Sequence, residues 1–82
     1  MSFLTNNKLN KMKQCFRAGD VKGAVVYADK LNPAEVHTSY DLNMMADVYL
    51  ANDRLGAAKR IYAELFRRTK TTALSKLEFH LV

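Results

Sequence analysis

Tryptophan is missing from this chain, proline occurs once, at Pro33, and there are only three glycines and one cysteine, Cys15. So few helix breakers leave little room for tight β-turns or long loops. A single thiol excludes an internal disulfide framework and fits a reducing compartment, although it could still pair between chains. No apolar run approaches the ~20 residues that a membrane-crossing helix needs. The opening segment Met1-Ser2-Phe3-Leu4-Thr5 has neither the basic start nor the apolar centre of a secretory leader, so the expected location is cytoplasmic. Chemistry-bearing clusters are scarce as well. His37 and His80 are far apart, no histidine or cysteine pairs with another at metal-ligand spacing, and the isolated glycines make no phosphate loop. Asp20, Asp29 and Asp53 read as caps or solvated charges, with no sign of a carboxylate dyad. The expectation is a non-enzymatic protein with no catalytic residues, cofactor or metal.

What remains is helix-forming. Ala, Leu, Lys, Arg and Met dominate, and 49% of the 82 residues are apolar, enough for one small core and too many for a disordered chain. The net charge of +5 is laid down in blocks. Residues 1–22 carry five cations against Asp20, residues 29–53 five acids against Lys30, and residues 54–70 six cations against Glu64. Such alternation favours association with partners or with copies of the same chain, and an oligomer is within expectation.

The pattern also repeats. Cys15-Phe16-Arg17-Ala18-Gly19-Asp20-Val21-Lys22-Gly23-Ala24 returns 34 residues later as Tyr49-Leu50-Ala51-Asn52-Asp53-Arg54-Leu55-Gly56-Ala57-Ala58. Each copy has an apolar pair, a polar break, a new apolar start and a small residue at the same offset. Helical hairpins that stack to bury a shared core have this kind of period.

Apolar spacing then locates the helices. The first runs from an Asn6 or Asn7 cap to Ala18, with Leu9, Met12 and Phe16 on one face and Cys15 beside them. Gly19 ends it in the left-handed conformation and Asp20 caps the second, whose stripe is Val21, Ala24, Val25 and Ala28, ending near Leu31. Asn32-Pro33 closes this pair. The third, capped by Ser39 or Asp41, carries Leu42, Met45, Ala46, Tyr49 and Leu50, widened by Met44 and Val48. The break at 51–53 leads to a fourth with Leu55, Ala58, Ile61, Tyr62, Leu65 and Phe66 as core face, and with Arg67, Arg68 and Lys70 in its last turn. Thr71 or Thr72 caps a fifth, with Leu74, Leu77 and Leu81 on one terminal apolar face. The fold class is therefore all-α, as stacked antiparallel helix hairpins with about five helices. It forms a single domain over 1–82, divided into repeats at about 6–36 and 39–69 and a capping helix at about 71–82. The apolar end Phe79-His80-Leu81-Val82 is expected to fold back on the stack or to be covered by another chain.

These residues resemble the tetratricopeptide repeat family. Its spacing of large, small, aromatic, turn, small and aromatic residues is met by Leu42, Met45, Ala46, Tyr49, Ala58 and Tyr62. The first copy is looser, matching at Cys15, Gly19, Ala24 and Ala28 while Lys8 and Met12 stand where a large apolar and a small residue are usual. The second departs at Asp53, Leu65 and Lys70. The resemblance covers roughly residues 6–70. It implies a stack whose concave face grips peptides or proteins, placing Asn6, Leu9, Lys13, Phe16, Arg17, Tyr40, Asn43, Asp47 and Leu50 on that face. The function it implies is protein–protein interaction with a peptide, a partner helix or a second copy. A small partner-dependent chaperone, like those of bacterial secretion systems, is a related reading. The rival reading is a basic helical domain that contacts nucleic-acid phosphates through Arg60, Arg67, Arg68 and Lys70 within residues 54–70.

Overall fold

The computed structural model describes the backbone of residues 3–81 and the side chains of residues 3–70. The described residues hold four α-helices and one short 3-10 turn, with no strand. Helix α1 spans Phe3–Arg17, α2 Val21–Ala28, α3 Ser39–Ala51 and α4 Leu55–Leu81, and the 3-10 turn is Pro33–Glu35. The chain is thus all-α, but four helices replace the expected five. No glycine or proline interrupts residues 57–81 to end α4. Just before the expected break, the Thr69 hydroxyl donates to the Leu65 carbonyl at 3.1 Å, which lets a threonine sit inside a helix instead of capping a new one. Arg67, Arg68 and Lys70 accordingly lie mid-helix, not in a last turn. The apolar face Leu74, Leu77 and Leu81, and its proposed covering, lie outside the residues whose side chains are described. Among the described residues no helix is long and apolar enough to cross a membrane.

Helix α1 packs on α2, α2 on α3, and α3 on α4, in chain order. Two of the turns between them share one construction. Gly19 (φ +85) ends α1 and Asp53 (φ +58) ends α3, both in the left-handed region. The Gly19 and Asp20 amides donate to the Phe16 and Cys15 carbonyls, and the Asp53 and Arg54 amides donate to Leu50 and Tyr49. This pairing satisfies carbonyls that a helix end otherwise leaves orphaned. Asp20 then caps α2, its carboxylate accepting from the Gly23 amide at 3.0 Å. A Cβ at position 23 would run into that carboxylate, so the glycine is what lets the cap close. Asn32 starts the 3-10 turn by accepting from the Ala34 amide.

Two helix starts differ from expectation. Helix α1 begins at Phe3, earlier than Asn6, and Thr5 in its first turn is buried, its hydroxyl donating to the Glu35 carboxylate at 3.3 Å. The cap of α3 is Thr38, whose hydroxyl accepts from the Asp41 amide, and not Ser39 or Asp41. Asp41 instead sits buried in the first turn, where a carboxylate suits the helix dipole, and pairs with Lys13 of α1 at 2.7 Å.

The core gathers Leu9 and Met12 from α1, Ala24 and Ala28 from α2, Leu31 and Val36 from the connection, then Leu42, Met45, Ala46, Val48 and Tyr49 from α3. Helix α4 contributes Ala57, Ala58 and Ile61. Small residues at the helix contacts let backbones approach closely, which suits so short a chain. Cys15, Phe16 and Leu65 pack on the margin of the core.

Candidate partner-binding surface

Helix α4 shows where the apolar count exceeds what the core absorbs. Ala58 and Ile61 are buried as expected, yet Leu55 is 64%, Tyr62 45% and Phe66 68% exposed. At 100° per residue these three fall within about 40° of one another on the cylinder, facing well away from Ile61. Their place in a core face is therefore corrected. The helical spacing of these apolar residues is real, but only those that meet α3 are covered. Lys59 and Lys70 flank the exposed row at nearby helical angles, and both are exposed. The only acid between Leu55 and Lys70, Glu64, points to another side of the helix.

The row proposed on α3 is also on the surface. Tyr40, Asn43, Asp47 and Leu50 are all exposed, within about an 80° arc. Asn43 is partly occupied, its amide donating to the Ser39 carbonyl at 3.0 Å. The α1 row straddles the core margin instead. Asn6 and Arg17 are exposed, Phe16 is half-buried against the core, and Leu9 is buried and unavailable to a partner. Lys13 is half-buried, held by Asp41, and this ion pair sets α1 beside α3.

The basic cluster on α4 divides differently from its sequence appearance. Arg67 donates twice to Glu64 at 2.7 and 3.0 Å, and Arg68 donates to the same carboxylate at 3.1 Å. These contacts, the Arg67 hydrogen bond first, hold the Glu64 carboxyl at a pKa of about 2, against their opposing partner, partial burial. Arg68 also reaches back to the Pro33 and His37 carbonyls, both at 3.2 Å, and so fastens α4 to the 3-10 connection. It is a structural clamp as much as a surface cation. Arg60 and Lys70 remain exposed.

Sequence reasoning missed one polar cluster. Asp29, at the end of α2, accepts two hydrogen bonds from Arg54 at 2.9 and 3.1 Å and one from the Tyr49 hydroxyl at 3.1 Å. The Arg54 guanidinium also lies over the Tyr49 ring, 5.6 Å from its centroid. Burial, then the neighbouring Asp29 charge, pushes the Tyr49 phenol up to about 12. The partners stand 20 and 25 residues from Asp29, so no local spacing announces them. Among the described residues no group of three or more His, Cys, Asp or Glu side chains is placed to hold a metal. No family model, curated protein or solved structure matches this chain.

Proposed function

We propose that this chain is a non-enzymatic protein–protein interaction module, built as two tetratricopeptide-like helix pairs, that binds an amphipathic segment. The segment is a partner helix, a peptide or a second copy. One observation carries the reading: Leu55, Tyr62 and Phe66 form an exposed apolar row at helical spacing, edged by Lys59 and Lys70. A helix laid along such a row would bury its own apolar face there and set acidic flanks against the lysines. The recurrence of one turn geometry at Gly19 and Asp53, 34 residues apart, supports the repeat reading.

Magnitudes limit the affinity. Burying three large apolar side chains contributes about 1.5–3 kcal/mol each, while association costs about 4–15 kcal/mol in lost freedom and ordering. Even at the favourable ends of these ranges the row by itself leaves about 5 kcal/mol, a dissociation constant of a few tenths of a millimolar, and tighter binding needs the α3 row as well. The test is photo-crosslinking from an aromatic ketone placed at position 62. A crosslinked polypeptide that disappears with Phe66→Glu, and is absent from a control probe at Lys22, supports the module. Identical products from both positions overturn it.

The nucleic-acid reading draws on the same helix. Arg67 and Arg68 share one carboxylate, and Arg68 is also committed to two carbonyls, which weakens the basic face as a phosphate track. A fluorescent duplex that fails to bind at low salt removes that reading, since phosphate contacts are strongest there.

A further inference from the structure

A recess lies away from the exposed α4 row. It is a partly open cavity of about 230 Å³ between the end of α2, the 3-10 connection, α3 and α4. Leu31, Pro33, Ala57 and Ile61 give it an apolar wall, while Asp29, Tyr49 and Arg60 supply its polar atoms.

The polar atoms are unequal. Asp29 is occupied by the two terminal guanidinium nitrogens of Arg54 and by the Tyr49 hydroxyl. Its charge is therefore matched and its oxygens have little left to offer a cation. The Tyr49 proton is directed at Asp29, and the phenol stays neutral through the physiological range. Arg60 differs: among the described residues it makes no hydrogen bond or ion pair, so one planar fork of donors stands uncompensated beside an apolar wall. A guanidinium in that setting favours a planar anion taken side-on by two N–H groups.

Size and lining narrow the ligand. The volume lies below the range for drug-sized ligands. A phosphate would leave the four apolar residues unmatched and would have only one unengaged guanidinium to meet its charge. We propose that this cavity binds a carboxylate carried on a short branched apolar body, with the carboxylate on Arg60 and the body against Leu31, Pro33, Ala57 and Ile61. The same chemistry is presented by a free branched organic acid and by the last residue of a polypeptide that ends in an aliphatic side chain.

The test follows backbone amide resonances of the whole chain during titration with 4-methylpentanoate, and separately with its neutral isostere 4-methylpentanamide. The expected result is saturable shifts at Leu31, Ala57 and Ile61 with the acid, with a dissociation constant on the order of 1 mM for so small a ligand. The amide should bind at least about tenfold more weakly. Arg60→Gln should weaken the acid by a similar factor and leave the thermal midpoint unchanged, because Arg60 is exposed and makes no bond among the described residues. Arg60→Lys, which keeps the charge without the fork, should fall between. Equal binding of acid and amide, undiminished binding to Arg60→Gln, or no saturable shift with the acid would each overturn the site. A leucine-terminated tripeptide distinguishes the sources. If it binds more tightly than the free acid, the site takes a chain end. If it binds more weakly, the site takes the free acid. Either ranking keeps the carboxylate site.

Discussion

Gly19 and Asp53 stand at equivalent points of the two helix pairs, both with positive φ, each followed by an amide that donates five residues back to the end of the preceding helix, Asp20 to Cys15 and Arg54 to Tyr49. Only the first is a glycine. An L-residue in the left-handed region costs about 1–2 kcal/mol, somewhat less for aspartate, whose short polar side chain tolerates it.

The two positions should therefore respond in opposite directions. Nothing lies within 4 Å of a Cβ built on Gly19, so Gly19→Ala is penalised through φ alone, by about 1–2 kcal/mol. Asp53→Gly relieves the same strain and loses about 0.5–1 kcal/mol in unfolded-state entropy, for a small net gain. Urea midpoints check both, and a destabilised Asp53→Gly would refute the strain argument.

The ion pair of Lys13 with Asp41 should behave as a coupled unit. Both side chains are largely enclosed, at 19% and 11% exposure, so removing one partner strands the other in a poorly solvated place. Lys13→Met and Asp41→Asn should each cost about 1–3 kcal/mol, and a double-mutant cycle should show coupling of about 1 kcal/mol or more. Simple additivity would mean that the two charges do not sense each other.

Alkali should reveal Tyr49. Its pKa is raised from 10.0 to about 12 by burial and by Asp29, and the protonated phenol is the form the fold stabilises. A group with a raised folded pKa contributes stability that is full below pH 10 and is lost as pH climbs through about 12. Tyr49→Phe should thus be less sensitive than wild type across that window, as followed by circular dichroism. Its ultraviolet titration should also lack a late phenolate step near pH 12. A wild type without that late step would contradict the enclosed Tyr49 hydroxyl.

Acid should act through Glu64 and its arginines. The carboxyl is lowered from 4.5 to about 2, so the stability it brings is present above pH 4.5 and fades as pH falls toward 2. Glu64→Gln should flatten stability over that range. Arg68→Lys keeps the charge but cannot span Glu64 and the Pro33 and His37 carbonyls together, and should cost about 1–3 kcal/mol. Amide exchange at Val36 should quicken in that variant. Unchanged exchange would mean that the clamp does not hold the connection.

Local chemistry was legible in the chain, and distant chemistry was not. Gly19, Asp20 and Asn32 each act within three residues, so their types declared the turn or cap they make. Leu9, Met12, Leu42 and Met45 follow helical spacing and are buried. The α3 cap fell to Thr38 because Thr38, Ser39 and Asp41 are all competent cap residues, and only the entry path of the chain decides among them. Leu55, Tyr62 and Phe66 misled for a different reason: periodicity reports an apolar arc without saying whether a neighbour covers it. The proposed α1 row failed at Leu9 on the same ambiguity. The Asp29 cluster and the cavity beside it depend on contacts 20 or more residues apart, which no spacing rule reaches.

Asn52 has a bearing on cooperativity. Its side-chain amide donates to Val48 at 2.8 Å and to Val21 at 2.9 Å, so the end of the second pair's first helix grips the opening turn of α2. Packed helix pairs can open one at a time. Here a single amide joins the α3–α4 turn to the start of α2. Asp29, at the other end of α2, is held by Tyr49 and Arg54, which flank that same turn. The two helix pairs are therefore expected to melt in one transition, with calorimetry and circular dichroism giving the same midpoint. Steadying α4 is then expected to slow amide exchange in α1 as well.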